Sequence, residues 1–465
     1  MFPSSIYKDR RNRLRKEMQN GLIFFPGNQE MSFNYAANTY AFRQDSNFLY
    51  FFGLDQPDVA GIIDLDNDND YLFGNDVDIS DIIWMGKQPS MKDRGEEVAV
   101  EETLPMNKLG ETLHHAIAHG QKIHYLPPYR GETIIQLSDL LGYPLSEIRK
   151  QVSNELIKAV VKLRMVKDQL EIMEIEDMVD VAWLMQTTAM KMAFPGIIER
   201  EIAGTIEGIA LAQACGVSFP VILTINGQTL HNHYHGNMLV KKRMLVIDAG
   251  SESEYHYASD ITRTVPVGGK FSAKQADIYN IVLAANLAAI AAVKPGVPFR
   301  DIHLLTAREI TKGLTELGIM KGDIDEAVSQ GAHTMFFPHG LGHPLGLDVH
   351  DLEGMGEGFV GYDDEIQRSK EFGLGFLRFG RRLQENFVMT IEPGIYFIPE
   401  LIDLWKAEGK HVDFIDYDVV KSYRRFGGIR IEDDILVTGD GARILGKQIP
   451  KTIQEIETVM EASYL

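Results

Sequence analysis

The sequence predicts an α+β protein of two domains, and three observations carry that expectation. At 465 residues the chain exceeds the roughly 250 to 300 residues at which single cores stop growing. Short apolar runs separated by turn-formers fill the first third, the pattern of a mixed α/β unit. After a helical stretch come longer apolar strand patterns, each interrupted by a carboxylate. The boundary is expected in the seam from Arg164 to Gln169, giving an N-terminal mixed α/β domain over residues 1–165 and a C-terminal domain over 166–465.

Taken in order, RRNRLRKEM near the N-terminus has no apolar core behind its basic residues, so it reads as a basic surface helix and not a secretory signal. GLIFFPGN, closed by Pro26 and Gly27, suits a buried strand. FLYFFGL, VAGIIDL, DYLFGN and DIIWMGK follow as further strands, set apart by turn-formers such as Asp66-Asn67-Asp68-Asn69. Between them FRQDSNF places Arg43, Gln44 and Asp45 beside aromatics, which reads as a solvated turn or a domain-interface ion pair.

From Ser146 to Phe194 apolar residues recur at three and four spacing, giving two long amphipathic helices, the second closed by Pro195-Gly196. A third helix runs from Glu199 to Cys215. MLVIDAG is then a near-continuous apolar strand, paired across the SESE turn with YHYASDITRTVPV. Two helices follow, Ala273 to Val293 and Pro298 to Leu317, punctuated by Lys294-Pro295-Gly296. A Gly- and charge-rich insertion from Leu352 to Gly375 precedes two closing strands, NFVMTIEPGIYFI and GGIRIEDDILV. In the second, alternation puts Arg430, Glu432 and Asp434 on one face.

Composition narrows the function. A hydrophobic fraction of 45% with 24% charged residues is ordinary for a globular protein. A net charge of −20 disfavours nucleic acid and anionic membrane, since both need a basic footprint. The one cysteine, Cys215, excludes an internal disulfide framework and points to a reducing, cytoplasmic setting. It ends an apolar helical run, so a small buried residue is expected there. No window reaches the roughly 18 uninterrupted apolar residues a spanning helix needs.

The chemistry concentrates in AHTMFFPHGLGHPLGLDVHD, residues 332–351, which holds His333, His339, His343 and His350. Gly340, Gly342, Pro344 and Gly346 rule out a helix there, at a cost of about 1 kcal/mol per glycine and about 3 per proline. Gly340 also stands where an HExxH zinc helix would carry its glutamate. A single histidine in such a place is ordinarily a pocket-lining residue satisfied by backbone. Three of them interleaved with glycines favour a functional site.

The strands supply its partners. A lone Asp or Glu in an apolar strand is costly unless paired or metal-bound, and Asp248, Asp260, Glu392 and Glu432 are four such residues. Asp248 and Asp260 lie near matching ends of one hairpin, where they repel unless a cation sits between them. Four carboxylates and one imidazole call for two divalent cations, and an oxygen-rich set with one nitrogen suits Mn²⁺, Fe²⁺, Co²⁺ or Zn²⁺. Two such metals roughly 3.5 to 4 Å apart would clamp a bridging water and lower its pKa towards about 7. The chemistry implied is hydrolysis of an amide or ester.

The order Asp, Asp, His, Glu, Glu within IDAG, SDITRT, HGLGHPLGLDVHD, TIEPGIY and GGIRIEDD resembles the methionine aminopeptidase, aminopeptidase P and prolidase superfamily. The resemblance covers nearly the whole chain, because FRQDSNFLYFFGLDQPD and IWMGK are similar to the N-terminal domain of its proline-specific branch. It implies a C-terminal catalytic domain with the pita-bread fold, a homodimer, and a small peptide substrate with proline at position two. It implies that Asp248 binds one metal, that Asp260 and Glu432 bridge both, and that His343 and Glu392 bind the other. Mn²⁺ is the expected ion. His350 would stabilise the tetrahedral intermediate, Glu392 would shuttle the proton, and His339 would line the proline side. Asp248 and Asp260 are twelve positions apart, one more than is usual in the family, which a longer SESE turn absorbs. A further substrate-contacting histidine lies within HNHYHGN: spacing favours His231, local HY similarity favours His233, and His235 is the third choice.

LRFGRRLQENFVMTIEPGIYFI is similar to the prolidase segment in which an arginine binds the free carboxylate of a dipeptide. The matching residue is Arg378, whose planar guanidinium suits a bidentate clamp. The resulting expectation is an Xaa-Pro dipeptidase, with Xaa-Pro aminopeptidase as the alternative sharing every ligand. A metal-free binding protein on the same fold predicts missing ligands, and all five are present.

Overall fold

The computed structural model describes residues 1–462. The chain divides into two compact units: residues 1–164 together with 352–359, and residues 165–351 together with the chain from 360 onward.

The first unit is built on a five-stranded sheet ordered Glu102–Leu104, Asn69–Phe73, Ala60–Asp64, Leu22–Pro26, Ile123–His124. The two inner pairings are antiparallel and the two edge pairings parallel. One face is covered by Leu109, Leu113 and Ala116 from the helix Lys108–Ala118. Two of the expected strands are helices. FLYFF lies in the helix Ser46–Phe52, because Asp45 caps it by accepting from the Asn47 and Phe48 amides at 2.9 and 3.0 Å. Gly53 ends that helix at φ 68°, and a Cβ there would strike the Tyr7 ring at 2.3 Å. DIIWM lies in the helix Ile79–Met85, which Asp78 and Asp81 close with a capping box. Short apolar runs satisfy both periodicities, and the caps decide between them.

FRQDSNF is a buried hub rather than a solvated turn. Gln44 is fully buried, its Oε1 accepts from the Asn28 and Asp45 amides at 2.6 and 2.8 Å, and its Nε2 donates to the Gln56 carbonyl at 2.7 Å. The basic N-terminal helix, Ser4–Glu17, is likewise not wholly a surface element. Arg11 is buried, donating to Asp70 at 2.7 Å and to the carbonyls of Phe51, Val98 and Ala99.

The second unit holds a three-stranded sheet ordered Ile261–Pro266, Met244–Ala249, Ile222–Thr224 and another ordered Val388–Ile391, Asp433–Val437, Ala442–Ile444. A two-stranded pair, Gly394–Tyr396 with Gly428–Arg430, accompanies them. The helices Gln169–Met192 and Ala273–Ala292 pack on these strands, and Phe299–Glu316 packs on Ala273–Ala292. Ala273–Ala292 is long and apolar enough in composition to cross a membrane. Here it backs the strand Val388–Ile391, with Asn286 Nδ2 donating to the Ile391 carbonyl at 3.1 Å. Cys215 falls just past the end of Glu199–Gln213 and is exposed, not buried as its apolar surroundings in the sequence suggested.

Candidate active site

The strand Met244–Ala249 is buried on both faces, as its apolar run demands. Its register against Ile261–Pro266 sets Thr262 opposite Asp248 and Ile261 opposite Ala249. Asp260 lies two residues before Thr262, so Asp248 and Asp260 share a face as diagonal neighbours. The connecting turn is drawn in tightly: a Cβ on Gly250 would fall 1.7 Å from the Ser259 carbonyl oxygen, so only glycine fits.

Glu392 and Glu432 occupy matching breaks. Each closing apolar run, read as one strand, is two. Ile391 pairs with Asp433 in one sheet and Gly394 with Arg430 in the other ladder, leaving Glu392-Pro393 and Ile431-Glu432 as elbows between them. Pro393 has no N–H to offer a ladder. The elbows thus turn both carboxylates off the sheets and into the cavity that Asp248 and Asp260 also line.

The histidine-bearing loop closes the site. Its backbone exchanges bonds with Thr390, whose amide donates to the His343 carbonyl at 2.9 Å while its Oγ1 accepts from the His343 amide at 3.1 Å. That approach needs Gly342, since a Cβ there would lie 2.0 Å from the Thr390 oxygen. His343 Nδ1 donates to the Pro344 carbonyl at 3.1 Å. Its Nε2 therefore carries the lone pair, and it faces Asp260 Oδ2 at 3.5 Å and Glu392 Oε1 at 3.8 Å.

A lone pair aimed at carboxylates is a repulsive arrangement unless a cation lies between them. Ligand atoms of Asp260, His343 and Glu432 all lie within 4.8 Å of one another. Asp248 Oδ1 and Asp260 Oδ1 are buried without a hydrogen-bond partner. Burial first, and then Glu432, push the Asp260 carboxyl well above its ordinary range; burial and then Glu392 do the same to Glu432. Glu392 is pushed up to about 7, mainly by burial, with Arg430 opposing. His343 is pushed down to about 4 by burial, which keeps it a neutral ligand. These residues fit divalent ions: a buried excess of negative oxygen, one imidazole nitrogen, and oxygen atoms with nothing else to bind.

Arg430, given no role by its place in the sequence, organises the opposite wall. Its Nε donates to Thr262 Oγ1 at 3.0 Å, one terminal nitrogen to Tyr396 Oη at 2.9 Å, and the other to Asp248 Oδ2. Tyr396 in turn donates to His339 Nε2 at 2.9 Å, and His339 Nδ1 donates to the Gly340 carbonyl at 2.8 Å. Thr262 donates to Glu432 Oε2 at 2.6 Å. Asp434, on the same face, accepts from the Asp260 amide at 2.9 Å. Alternation along GGIRIEDD did place Arg430, Glu432 and Asp434 together, and that was the signal for them.

All ten expected site residues line one cavity of about 650 Å³: Asp248, Asp260, His343, Glu392, Glu432, His350, His339, Arg378, His231 and His233. Asp260, His343 and Glu432 form the tight group, whereas Asp248 is bonded to Arg430. Of the three histidines in HNHYHGN, His231 and His233 reach the cavity and His235 does not. The ring of His350 meets that of His343 edge to face, with centroids 4.3 Å apart. Phe219, Pro220, Ile222, Leu230, Phe372 and Phe376 supply apolar walls.

Residues 174–439 match the description Metallopeptidase family M24, and residues 7–125 match Aminopeptidase P, N-terminal domain. A probable Xaa-Pro aminopeptidase of Aspergillus fumigatus is 34% identical over 427 residues, spanning 90% of this chain and 87% of its own length. An Xaa-Pro dipeptidase of Homo sapiens is 33% identical over 462 residues, spanning 96% of this chain and 91% of its own. The solved structure of E. coli aminopeptidase P with the inhibitor Pro-Leu is similar with a TM-score of 0.82 at 27% identity, covering 100% of this chain and 99% of that one. These likenesses bear out the expected architecture, a separate N-terminal domain with a pita-bread catalytic domain after it. A match across most of the catalytic domain, together with relatives one-third identical over nearly their full length, shows that this chain belongs to metallopeptidase family M24.

Proposed function

We propose that the chain is a metal-dependent Xaa-Pro dipeptidase, acting through two divalent ions held by Asp248, Asp260, His343, Glu392 and Glu432. The observation that carries the reading is the buried carboxylate cluster facing the neutral Nε2 of His343. Asp248, Asp260, His343, Glu392 and Glu432 would hold the ions, which when bound would supply Lewis-acid chemistry and a water of lowered pKa.

The chain's own groups do the rest. Glu392 takes the proton of the attacking water and returns it to the proline nitrogen as that nitrogen leaves. His350 donates a hydrogen bond to the carbonyl oxygen as negative charge develops on it. His339, its tautomer fixed by Gly340 and Tyr396, walls the proline side. His231 and His233 contact the substrate from the opposite loop, with spacing favouring His231. Arg378 receives the free carboxylate of the dipeptide, and its place in the cavity supports that role.

Xaa-Pro aminopeptidase is the second reading, favoured by the Aspergillus relative's name just as the human relative's name favours the first. Arg378 in the cavity supports the dipeptidase reading. We assign Mn²⁺ as the ion, with Co²⁺, Fe²⁺ or Zn²⁺ as alternatives. A homodimer rests on the family resemblance, and a cytoplasmic setting on the single cysteine. The test is to strip metal, restore Mn²⁺ and compare Ala-Pro with Ala-Ala. Metal-dependent cleavage confined to Ala-Pro is expected. Cleavage without metal, or equal cleavage of both, contradicts the proposal.

A further inference from the structure

Lys167 and Asp351 form an ion pair, Nζ to Oδ2 at 2.8 Å, with each side chain only 1% exposed. Neither residue lines the cavity. Lys167 sits in the short link between the helices Asn154–Met165 and Gln169–Met192, and its backbone amide donates to the Asn386 carbonyl at 2.9 Å. Asp351 directly follows His350.

The pair closes a small loop. The Asp351 amide donates to the Pro344 carbonyl at 2.9 Å, so residues 344–351 return on themselves immediately after His343. Leu345 is tied to the Val388 carbonyl at 3.1 Å, and the Gly346 carbonyl accepts from the Ala258 amide at 2.8 Å. A Cβ on Gly346 would lie 2.5 Å from Asp351 Oδ2 and 2.8 Å from Lys167 Cε, so the ion pair fills the space under the loop. The N-terminal end of the loop is thus fastened through His343 and Thr390, and its C-terminal end through Lys167. The same helix start also holds the segment leading to Asp260, because Glu171 Oε1 accepts from Tyr257 at 2.9 Å.

Burying two opposite charges is weak as a source of stability, since apolar replacements of similar volume are often neutral. What the pair provides here is a fixed position for the residue beside it. We propose that Lys167 and Asp351 are a positioning pair for His350, holding its imidazole at the scissile carbonyl. The inference rests on the role given to His350 above. Neither member lines the cavity, and the pair acts through the loop. A displacement of about 1 Å at a catalytic group can cost roughly a hundredfold in rate.

The test is a kinetic cycle in the Mn²⁺-loaded enzyme with Lys167→Met, His350→Ala and the double variant, reading kcat, KM and metal content. Lys167→Met is expected to lower kcat by roughly a hundredfold with KM and metal content little changed. In the His350→Ala background it should cause no further loss. Losses that multiply, or a change confined to KM or metal content, overturn the proposal. Asp351→Asn, which still accepts a bond from Lys167, should lose less and supplies the same cycle if Lys167→Met fails to fold. The imidazole ¹⁵N resonances of the metal-free protein give a readout independent of turnover. Lys167→Met should move the His350 signals and leave those of His231 in place, and unmoved His350 signals count against the pair. Absence of Xaa-Pro hydrolysis in the wild type would instead fall on the functional reading, with the resonances still deciding the positioning.

Discussion

Arg430 and Asp248 are joined as a buried ion pair, and the same guanidinium holds Tyr396 and Thr262. One side chain therefore links Asp248 and Thr262 to His339, through Tyr396. The charge of Arg430 also offsets what the cluster of acids imposes on Glu392 and Glu432. Removing it as Arg430→Gln leaves Asp248 buried beside three other carboxylates, a loss of about 3 to 5 kcal/mol in the metal-free protein. Melting of the chelated variant should show this, and Mn²⁺ should recover part of it. An unchanged melting temperature contradicts the assignment.

Asp260 is a buried member of the ligand group, with one oxygen facing His343 and its amide bonded to Asp434. Asp260→Asn should abolish turnover and weaken metal binding, measured by bound-metal analysis alongside kcat. Turnover retained at full metal occupancy refutes its place between the ions.

The stability that bound metal adds should depend on pH. Burial raises Glu392 from 4.5 to about 7 in the folded metal-free protein, and Asp260 and Glu432 move the same way. Groups raised on folding contribute fully below their unfolded value, and that contribution is lost as pH rises through the folded one. His303, His339 and His343 are lowered from 6.5 to about 3, 3 and 4, chiefly by burial. Their contribution is present above 6.5 and is lost as pH falls towards those values. Bound metal neutralises the carboxylates and competes with their protons. Mn²⁺ should therefore raise the melting temperature more at about pH 8 than at about pH 5. A gain that is equal at both, or larger at the lower pH, goes against the cluster as a metal site.

Arg378 lies in the cavity with Glu392, His231 and His343 within its electrostatic reach. Arg378→Ala should raise KM for dipeptides far more than for longer peptides, by an amount of the order of 2 to 5 kcal/mol for truncating a buried charge partner. Steady-state kinetics on both substrate lengths check this, and equal effects on both sink the clamp.

That five acidic and histidine residues would meet in one cavity was legible because each breaks a local rule. Asp248, Glu392 and Glu432 are carboxylates in apolar runs, Asp260 immediately precedes one, and His343 is flanked by Gly342 and Pro344. What no local pattern carries is pairing over distance. Lys167 looks like an ordinary polar linker residue, and its partner Asp351 is 184 positions away. Arg430 stood on the right face by alternation, yet its bonds to Asp248 and Tyr396 depend on how two separate ladders meet at the Glu392 and Glu432 elbows. The helices Ser46–Phe52 and Ile79–Met85 were misread as strands because four or five apolar residues fit either period, and the Asp45 and Asp78 caps were the better signal.

The most direct measurement is release of the N-terminal alanine by metal-stripped protein restored with Mn²⁺, comparing Ala-Pro, which yields Ala and Pro, with Ala-Pro-Ala, which yields Ala and Pro-Ala. Dipeptidase action through the Arg378 clamp predicts rapid, metal-dependent cleavage of Ala-Pro and little of the tripeptide. Efficient cleavage of Ala-Pro-Ala would contradict it and make the chain an Xaa-Pro aminopeptidase.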